Sequence, residues 1–172
     1  KSYPGELSVE QARAMMDDLA SFEIPALLMS GGEPLTHPHF WEHLAYARDL
    51  GLRVVLSTNA TLITPERAEK LKAAGLTYIG ASLDGVGEVN NEFRGKPWAF
   101  ERAVEGIRNC KAAGLSISLR MTLTRHNVED LDLVADTVTT DGTTAGDTIS
   151  GGFDATSQKD IETCITPDPA DC

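Results

Sequence analysis

The sequence predicts an α/β fold with a parallel sheet, on three observations. Helix-like and strand-like segments alternate from about residue 8 to residue 134. Three of the helices finish in Gly-Leu, at Gly51-Leu52, Gly75-Leu76 and Gly114-Leu115, and each hands over directly to an apolar run, so one helix-strand unit is repeated. The strand-like runs end in small polar residues rather than in hairpin turns. A repeated helix-strand unit implies parallel strands joined by right-handed crossovers. Parallel strands deliver their C-terminal tips to one rim, where barrel and open-sheet enzymes keep their chemistry.

Each element follows from local pattern. Residues 8–22 place Ala12, Met15, Met16, Leu19 and Phe22 on one helical stripe, with Ser8 and Gln11 spaced as a capping box. The run Ala26 to Met29 is short and apolar, as a strand covered on both faces would be. Pro38 opens a second helix with Phe40, Leu44 and Ala47 inward, closed by Gly51, which tolerates a left-handed backbone. The β-branched run after Gly51 ends in Ser57-Thr58-Asn59, and Thr64-Pro65 restarts a helix as N-cap and first-turn proline. Then come a strand ending at Ser82-Leu83-Asp84-Gly85 and a helix with Phe100, Ala103, Val104, Ile107 and Cys110 on one face. A fourth strand contains Arg120, and Asn127 caps a last helix to about Val134. Residues 139–172 contain no Leu, Val or Met and hold seven acids against one lysine, so they read as an irregular tail with at most one short strand near Ile149. The expected division is therefore 1–138 and 139–172.

Composition narrows the function. With 172 residues, 41% apolar and 24% charged, the chain suits a soluble globular domain. A formal net charge of −11 argues against a nucleic-acid surface, which needs clustered Lys and Arg. The apolar runs are too short to span a bilayer, and the opening KSYPGELS lacks the layout of a signal peptide, so a cytoplasmic location is the expectation.

The strand tips carry the chemistry. Ser30-Gly31-Gly32-Glu33-Pro34 exposes bare backbone beside one acid, which suits docking of something small and polar. SGGEPLTHP, LSTNATLI, GASLDG, FRGKPWAF and LRMTLT, in this order, resemble the core of the radical S-adenosylmethionine (SAM) superfamily, in the manner of the haem d1 synthesis proteins and of peptide-modifying members with SPASM-type extensions. The resemblance runs from about Tyr3 to Val134 and implies an incomplete partial (β/α) barrel with parallel strands. It also implies a mechanism. A [4Fe–4S] cluster on three cysteines binds SAM and reductively cleaves it to a 5′-deoxyadenosyl radical, which abstracts hydrogen from a tetrapyrrole or peptide substrate, with an electron donor as partner; the protein supplies placement. The resemblance assigns Gly31, Gly32, Glu33 and Pro34 to the methionine amine, with backbone carbonyls accepting from the ammonium and Glu33 adding a charge-assisted bond. It puts Thr58 and Asn59 near the ribose or substrate, Ser82 on SAM and Asp84 beside it, and it makes Arg120 the partner of the SAM carboxylate or of a substrate acid.

One family feature is missing from the sequence. The C-x3-C-x2-C motif, which the resemblance places just before the segment where the sequence starts, does not occur, and Cys110, Cys164 and Cys172 do not match it. The expectation is a chain cut a few positions downstream of that motif, without cluster ligands and unable to cleave SAM unaided. Cys110, on an apolar stripe, reads as a buried structural thiol. Plainer readings stand beside the sharp ones: Gly31-Gly32 as a tight turn, Asn59 and Ser82 as loop caps, Asp84-Gly85 as a turn, Arg94 as a substrate ligand, an ion pair or a solvated cation, and the four histidines as surface residues. A folded, non-catalytic scaffold and a metal-free barrel that holds a phosphate on the glycine turn are the rival functions.

Overall fold

A computed structural model of the chain describes residues 6–76 and 78–134, together with the backbone of residues 150–153. Helix α1 (Val9–Ser21) is followed by β1 (Leu27–Met29), a 3₁₀ turn (Pro34–Thr36), α2 (Phe40–Asp49), β2 (Val54–Thr58), α3 (Pro65–Ala73) and β3 (Tyr78–Ser82). Next come α4 (Glu88–Arg94), α5 (Ala99–Ala112), β4 (Ile117–Leu123), a second 3₁₀ turn (Val128–Asp130) and β5 (Ser150–Phe153). The strands form one open sheet in the order β1-β2-β3-β4-β5. β1 pairs with β2 in parallel, Leu27 opposite Val54 and Met29 opposite Leu56, and β2 pairs with β3 from Val55–Tyr78 to Thr58–Ala81. β4 runs parallel to β5 with Arg120 opposite Ser150. The α/β class with parallel strands is thus the fold, and β5 lies beside the expected strand position at Ile149. The rest of the tail, with Cys164 and Cys172, lies outside the described residues.

The described residues group into two compact units: 6–76 and 78–82 with 101–118, and 83–100 with 119–134 and 150–153. In the first, Leu44, Leu56, Leu71 and Ile79 are at most 1% exposed. Burying each such side chain stabilises the fold by about 2 kcal/mol before entropy is subtracted. Local chemistry sets several element ends as the sequence predicts, although α2 starts at Phe40, after an uncapped His39, and not at Pro38. Ser8 and Gln11 form the reciprocal capping box of α1, and Thr64 accepts from the Arg67 amide at the start of α3, with Pro65 in the first turn. Gly51, Gly75 and Gly114 end their helices at φ +79°, +74° and +71°, a conformation that carries little penalty only for glycine.

Four expectations need correction. β1 is not covered on both faces: among the described residues it is an edge strand paired only with β2, and Leu28 is 53% exposed. The α1 stripe is narrower than its periodicity, because only Ala12 and Met16 are buried; Met15 is 43% exposed, and Phe22, past the last turn, is 78% exposed. Asn127 makes no side-chain cap bond, since its side-chain oxygen already accepts from the Thr124 amide and hydroxyl. α4 was absent from the expected elements, because two buried asparagines, Asn90 and Asn91, break its apolar period.

The tightest packing in the first unit lies between α5 and the loop after β2. A Cβ built on Gly106 would sit 2.0 Å from the carbonyl oxygen of Ala60, itself held at φ +60°. Gly→Ala inside a helix ordinarily stabilises by about 0.5–1 kcal/mol. At this position overpacking against backbone reverses the sign. Gly106→Ala should therefore lower the urea unfolding free energy by about 1–3 kcal/mol; a stabilised variant would show that the helix does not approach the loop so closely.

Candidate functional site

In the first unit the residues after β1 and β2 meet through one carboxylate. Glu33 Oε1 accepts from the Leu35 amide at 3.1 Å and from the Thr58 hydroxyl at 2.8 Å; Oε2 accepts from the same hydroxyl at 2.9 Å and from the Asn59 amide at 2.8 Å. Thr58 is 3% exposed, and its oxygen in turn accepts from the Ala60 amide at 3.0 Å. Asn59 turns its own carbonyl to the Thr61 amide and hydroxyl, at 3.0 and 2.8 Å, as a loop-stabilising Asx residue. Gly31, Gly32, Glu33, Thr58 and Asn59 are thereby brought together, and Pro34 is buried in the 3₁₀ turn behind them. Ser82 closes β3 and is half-buried.

The two glycines differ in kind. Gly31 has φ +139°, which a side chain would strain, whereas Gly32 has no such constraint, and a Cβ on either would meet no atom within 4 Å. Gly32 is therefore required neither by its backbone conformation nor by a described neighbour. Both are exposed, and no hydrogen bond from a described residue ends on either carbonyl. Such an open backbone leaves its carbonyls as acceptors for a donor from outside the described residues.

In the second unit Asp84 is fully buried and fully engaged. Its Oδ1 accepts from the Thr122 amide at 2.7 Å, its Oδ2 pairs with the Arg94 guanidinium, and its backbone amide donates to Asn90 Oδ1 at 2.9 Å. Of the three readings open for Arg94, the ion pair is the observed one. Asn127, 2% exposed, locks the same loop: its amide donates to the carbonyls of Asp84 and Thr122, both at 2.8 Å, while its oxygen accepts from the Thr124 amide and hydroxyl. Gly85 is necessary here because a Cβ would fall 2.6 Å from Val89 Cγ1 and 3.0 Å from the Asp130 carboxylate. Arg120 lies on β4, half-buried and engaged within the protein. Sequence reasoning missed Asn127 as a hub, because an Asn before a helix reads first as a cap.

Metal-binding groups are a separate matter. The rings of His37, His39 and His43 stand 5.6–6.1 Å apart, with His37 facing Glu6 and His39 facing Glu42. Among the described residues no three His, Cys, Asp or Glu side chains are arranged to hold a metal ion. Burial pushes the Cys110 thiol up to about 12, far from the thiolate that ligates iron.

Two outcomes follow from these contacts. Asn127→Ala should lower the unfolding free energy by about 3 kcal/mol through lost buried hydrogen bonds. Asn127→Asp should cost at least as much in urea titrations, since it sets a carboxylate against two carbonyl oxygens; a milder Asp variant would refute the donor assignment. Burial, and then the neighbouring His37, hold the His43 imidazole below its ordinary value of 6.5, with Glu42 opposing and His39 and Arg13 assisting. The folded chain then binds fewer protons than the unfolded one, so stability present above pH 6.5 is lost as pH falls toward the folded pKa. His43→Gln should flatten that acid limb in chemical denaturation, and an unchanged limb would refute it.

Comparison with known proteins agrees with this architecture. The family described as the radical SAM superfamily matches residues 1–138. Fe-coproporphyrin III synthase of Methanosarcina barkeri is 48% identical over 134 residues, 78% of this chain and 34% of that protein. Pre-heme d1 synthase of Dinoroseobacter shibae is 40% identical over 75% of this chain and 32% of its own length, and mycofactocin maturase MftC of Mycobacterium tuberculosis 39% over 77% and 34%. The chain thus spans about a third of the length of these curated relatives. Among solved structures, Streptococcus suis SuiB bound to S-adenosylmethionine superposes with a TM-score of 0.65 at 18% identity, covering 83% of this chain and 36% of SuiB, a likeness of fold. With the parallel open sheet and the glycine-acid turn after its first strand, the chain belongs to the radical SAM superfamily.

Proposed function

We propose that the chain supplies the SAM-binding core of an enzyme that abstracts a hydrogen atom from a tetrapyrrole or peptide substrate. The observation that carries this reading is Gly32: small without a structural reason, exposed, and next to carbonyls with no described partner. The ammonium of SAM is a donor of the right size for those carbonyls. Pro34 stiffens the exit of the turn. Thr58 and Asn59 border the ribose or substrate, and Ser82 offers a hydroxyl to SAM. Asp84, with both oxygens held inside the protein, contributes by fixing the loop after β3. A tetrapyrrole is the better supported substrate, since the coproporphyrin relative is 48% identical and the peptide maturase 39%. A one-electron donor is the partner such chemistry requires.

SAM, when bound beside a reduced cluster, supplies the hydrogen-abstracting radical. The described residues offer no ligand set for that cluster. For this polypeptide alone we therefore propose SAM binding without cleavage.

Equilibrium dialysis of the full chain against SAM tests the reading. Wild-type protein should bind weakly, and Gly32→Val should lose at least about tenfold in affinity with its melting temperature unchanged, because the added side chain fills the ligand's space and touches no described atom. Equal affinity in the two proteins would overturn the assignment. Anaerobic reconstitution with iron and sulfide should give no brown chromophore near 1:1 stoichiometry, and a stable one would overturn the second proposal.

A further inference from the structure

Resting on the tetrapyrrole reading of the substrate, we infer that the loop from Phe93 to Trp98 is a docking surface for a planar macrocycle that carries carboxylates. The segment FRGKPWAF, residues 93–100, holds two bases and no acid in a chain of net charge −11. An anionic ligand is repelled by such a chain as a whole and drawn to the few places where bases stand without acids. Aromatic surface is exposed on the same segment: Phe93 is 43% exposed and Trp98 39%. Surface apolar residues scattered singly need no explanation, whereas large rings grouped about a cation mark an interaction site. Lys96 is exposed between them, and among the described residues its ammonium has no ion-pair partner. Arg94 is placed differently. Its guanidinium pairs with Asp84 and lies over the Phe93 ring, 5.9 Å from the centroid, so it steadies that ring from one side.

The backbone of the loop selects the kind of partner. Gly95, at φ +65°, ends α4, and its amide donates to the Glu92 carbonyl at 3.1 Å. The Lys96 amide donates to the Asn91 carbonyl at 3.0 Å and the Ala99 amide to the Lys96 carbonyl at 3.2 Å, while Pro97 has no N–H to offer. Asn91, 4% exposed, holds the loop from inside: its side-chain oxygen accepts from the Phe100 amide at 2.9 Å and its nitrogen donates to the Pro97 carbonyl at 3.2 Å. These main-chain groups are spent within the protein. An extended peptide is recognised through main-chain bonds along a strand edge, and this loop joins two helices, α4 and α5. A macrocycle needs no such bonds. It meets ring faces and edges through its own π-system, and its carboxylates take an ammonium through charge-assisted hydrogen bonds. Because the loop is fixed before a ligand arrives, little entropy is lost in ordering it.

Titration of the full chain with coproporphyrin III, a porphyrin bearing carboxylates, tests the inference through porphyrin fluorescence anisotropy and tryptophan quenching. Trp41 and Trp98 are the two tryptophans, so Trp41→Phe leaves Trp98 as the reporter. Bound porphyrin should quench it. Trp98→Ala and Phe93→Ala should each weaken binding by about tenfold, the loss expected for one stacking partner. Lys96→Glu should weaken it by at least about fivefold, with added salt shrinking the difference, and Lys96→Arg should retain it. The Lys96 pair alone decides the matter if an aromatic variant does not fold. Porphyrin binding that none of these variants weakens overturns the inference and leaves the tetrapyrrole reading standing. Quenching of Trp98 by an aromatic peptide and not by the porphyrin overturns it in favour of a peptide. If the wild-type chain binds no porphyrin, the inference and the tetrapyrrole preference fall together, while dialysis against SAM still decides the SAM-binding reading.

Discussion

The first unit depends on the Glu33 carboxylate. β1 has three residues and pairs with β2 over three positions, Leu27–Val54 to Met29–Leu56. Past Met29 the ladder stops, and the chain leaves with two glycines that make no side-chain contact at all. Two backbone amides and one hydroxyl converging on a single acid restore the connection that the ladder no longer provides. Hydrogen bonds to a charged acceptor are roughly twice as strong as neutral ones and set direction as well as distance. The diglycine is thus followed by a fixed base, beside a short strand with an exposed face.

The second unit solves a similar problem by burial. Asp84 has no solvent exposure, so its charge requires compensation, and Arg94 on α4 provides it. The remaining capacity is filled by backbone: the Thr122 amide on Asp84, and the Asp84 and Thr122 carbonyls on Asn127. Within this unit one acid therefore joins the loop after β3, the short helix α4 and the end of β4, and Gly85 is small because Val89 and Asp130 crowd it. Both units use an acid after a strand as an internal fastener. An acid beside glycine at a strand tip is thus weak grounds, by itself, for a ligand contact.

Much of the fold was legible because it rests on local rules. The capping box at Ser8, the Thr64-Pro65 start and the Gly51, Gly75 and Gly114 stops each follow from backbone conformation within a few residues, and the structure has them where the pattern puts them. The inward residues of α2, Phe40, Leu44 and Ala47, follow from the helical period in the same way. Long-range pairing was not legible. Nothing near Arg94 in the sequence says that its partner is Asp84, ten residues earlier, nor does anything near Asn127 say that it spans to Asp84, 43 residues away. Helix α4 was hidden because its buried face is made by asparagines satisfied through tertiary bonds, Asn90 to the Asp84 amide and Asn91 to the Phe100 amide and the Pro97 carbonyl. At the site, the residue types were readable and their division of labour was not: the sequence shows an acid beside two glycines, and only the hydrogen bonds show which way the acid faces.

The glycines make the same distinction between fold and function. Gly106 is small because a backbone carbonyl would meet its Cβ, Gly85 because a valine and an aspartate would, and Gly31 because of its φ of +139°. Each is explained by atoms or angles within the protein. Gly32 is not: its φ is ordinary, and its surroundings are open. Glycine also loses more backbone entropy on ordering than any other residue, so an unneeded glycine is a net loss of stability for the folded chain. At Gly32 the fold gives no reason for that loss, which is the ground of the proposal that a ligand lies against the turn. The next residue, Glu33, is by contrast fixed within the protein by the Leu35 and Asn59 amides and the Thr58 hydroxyl.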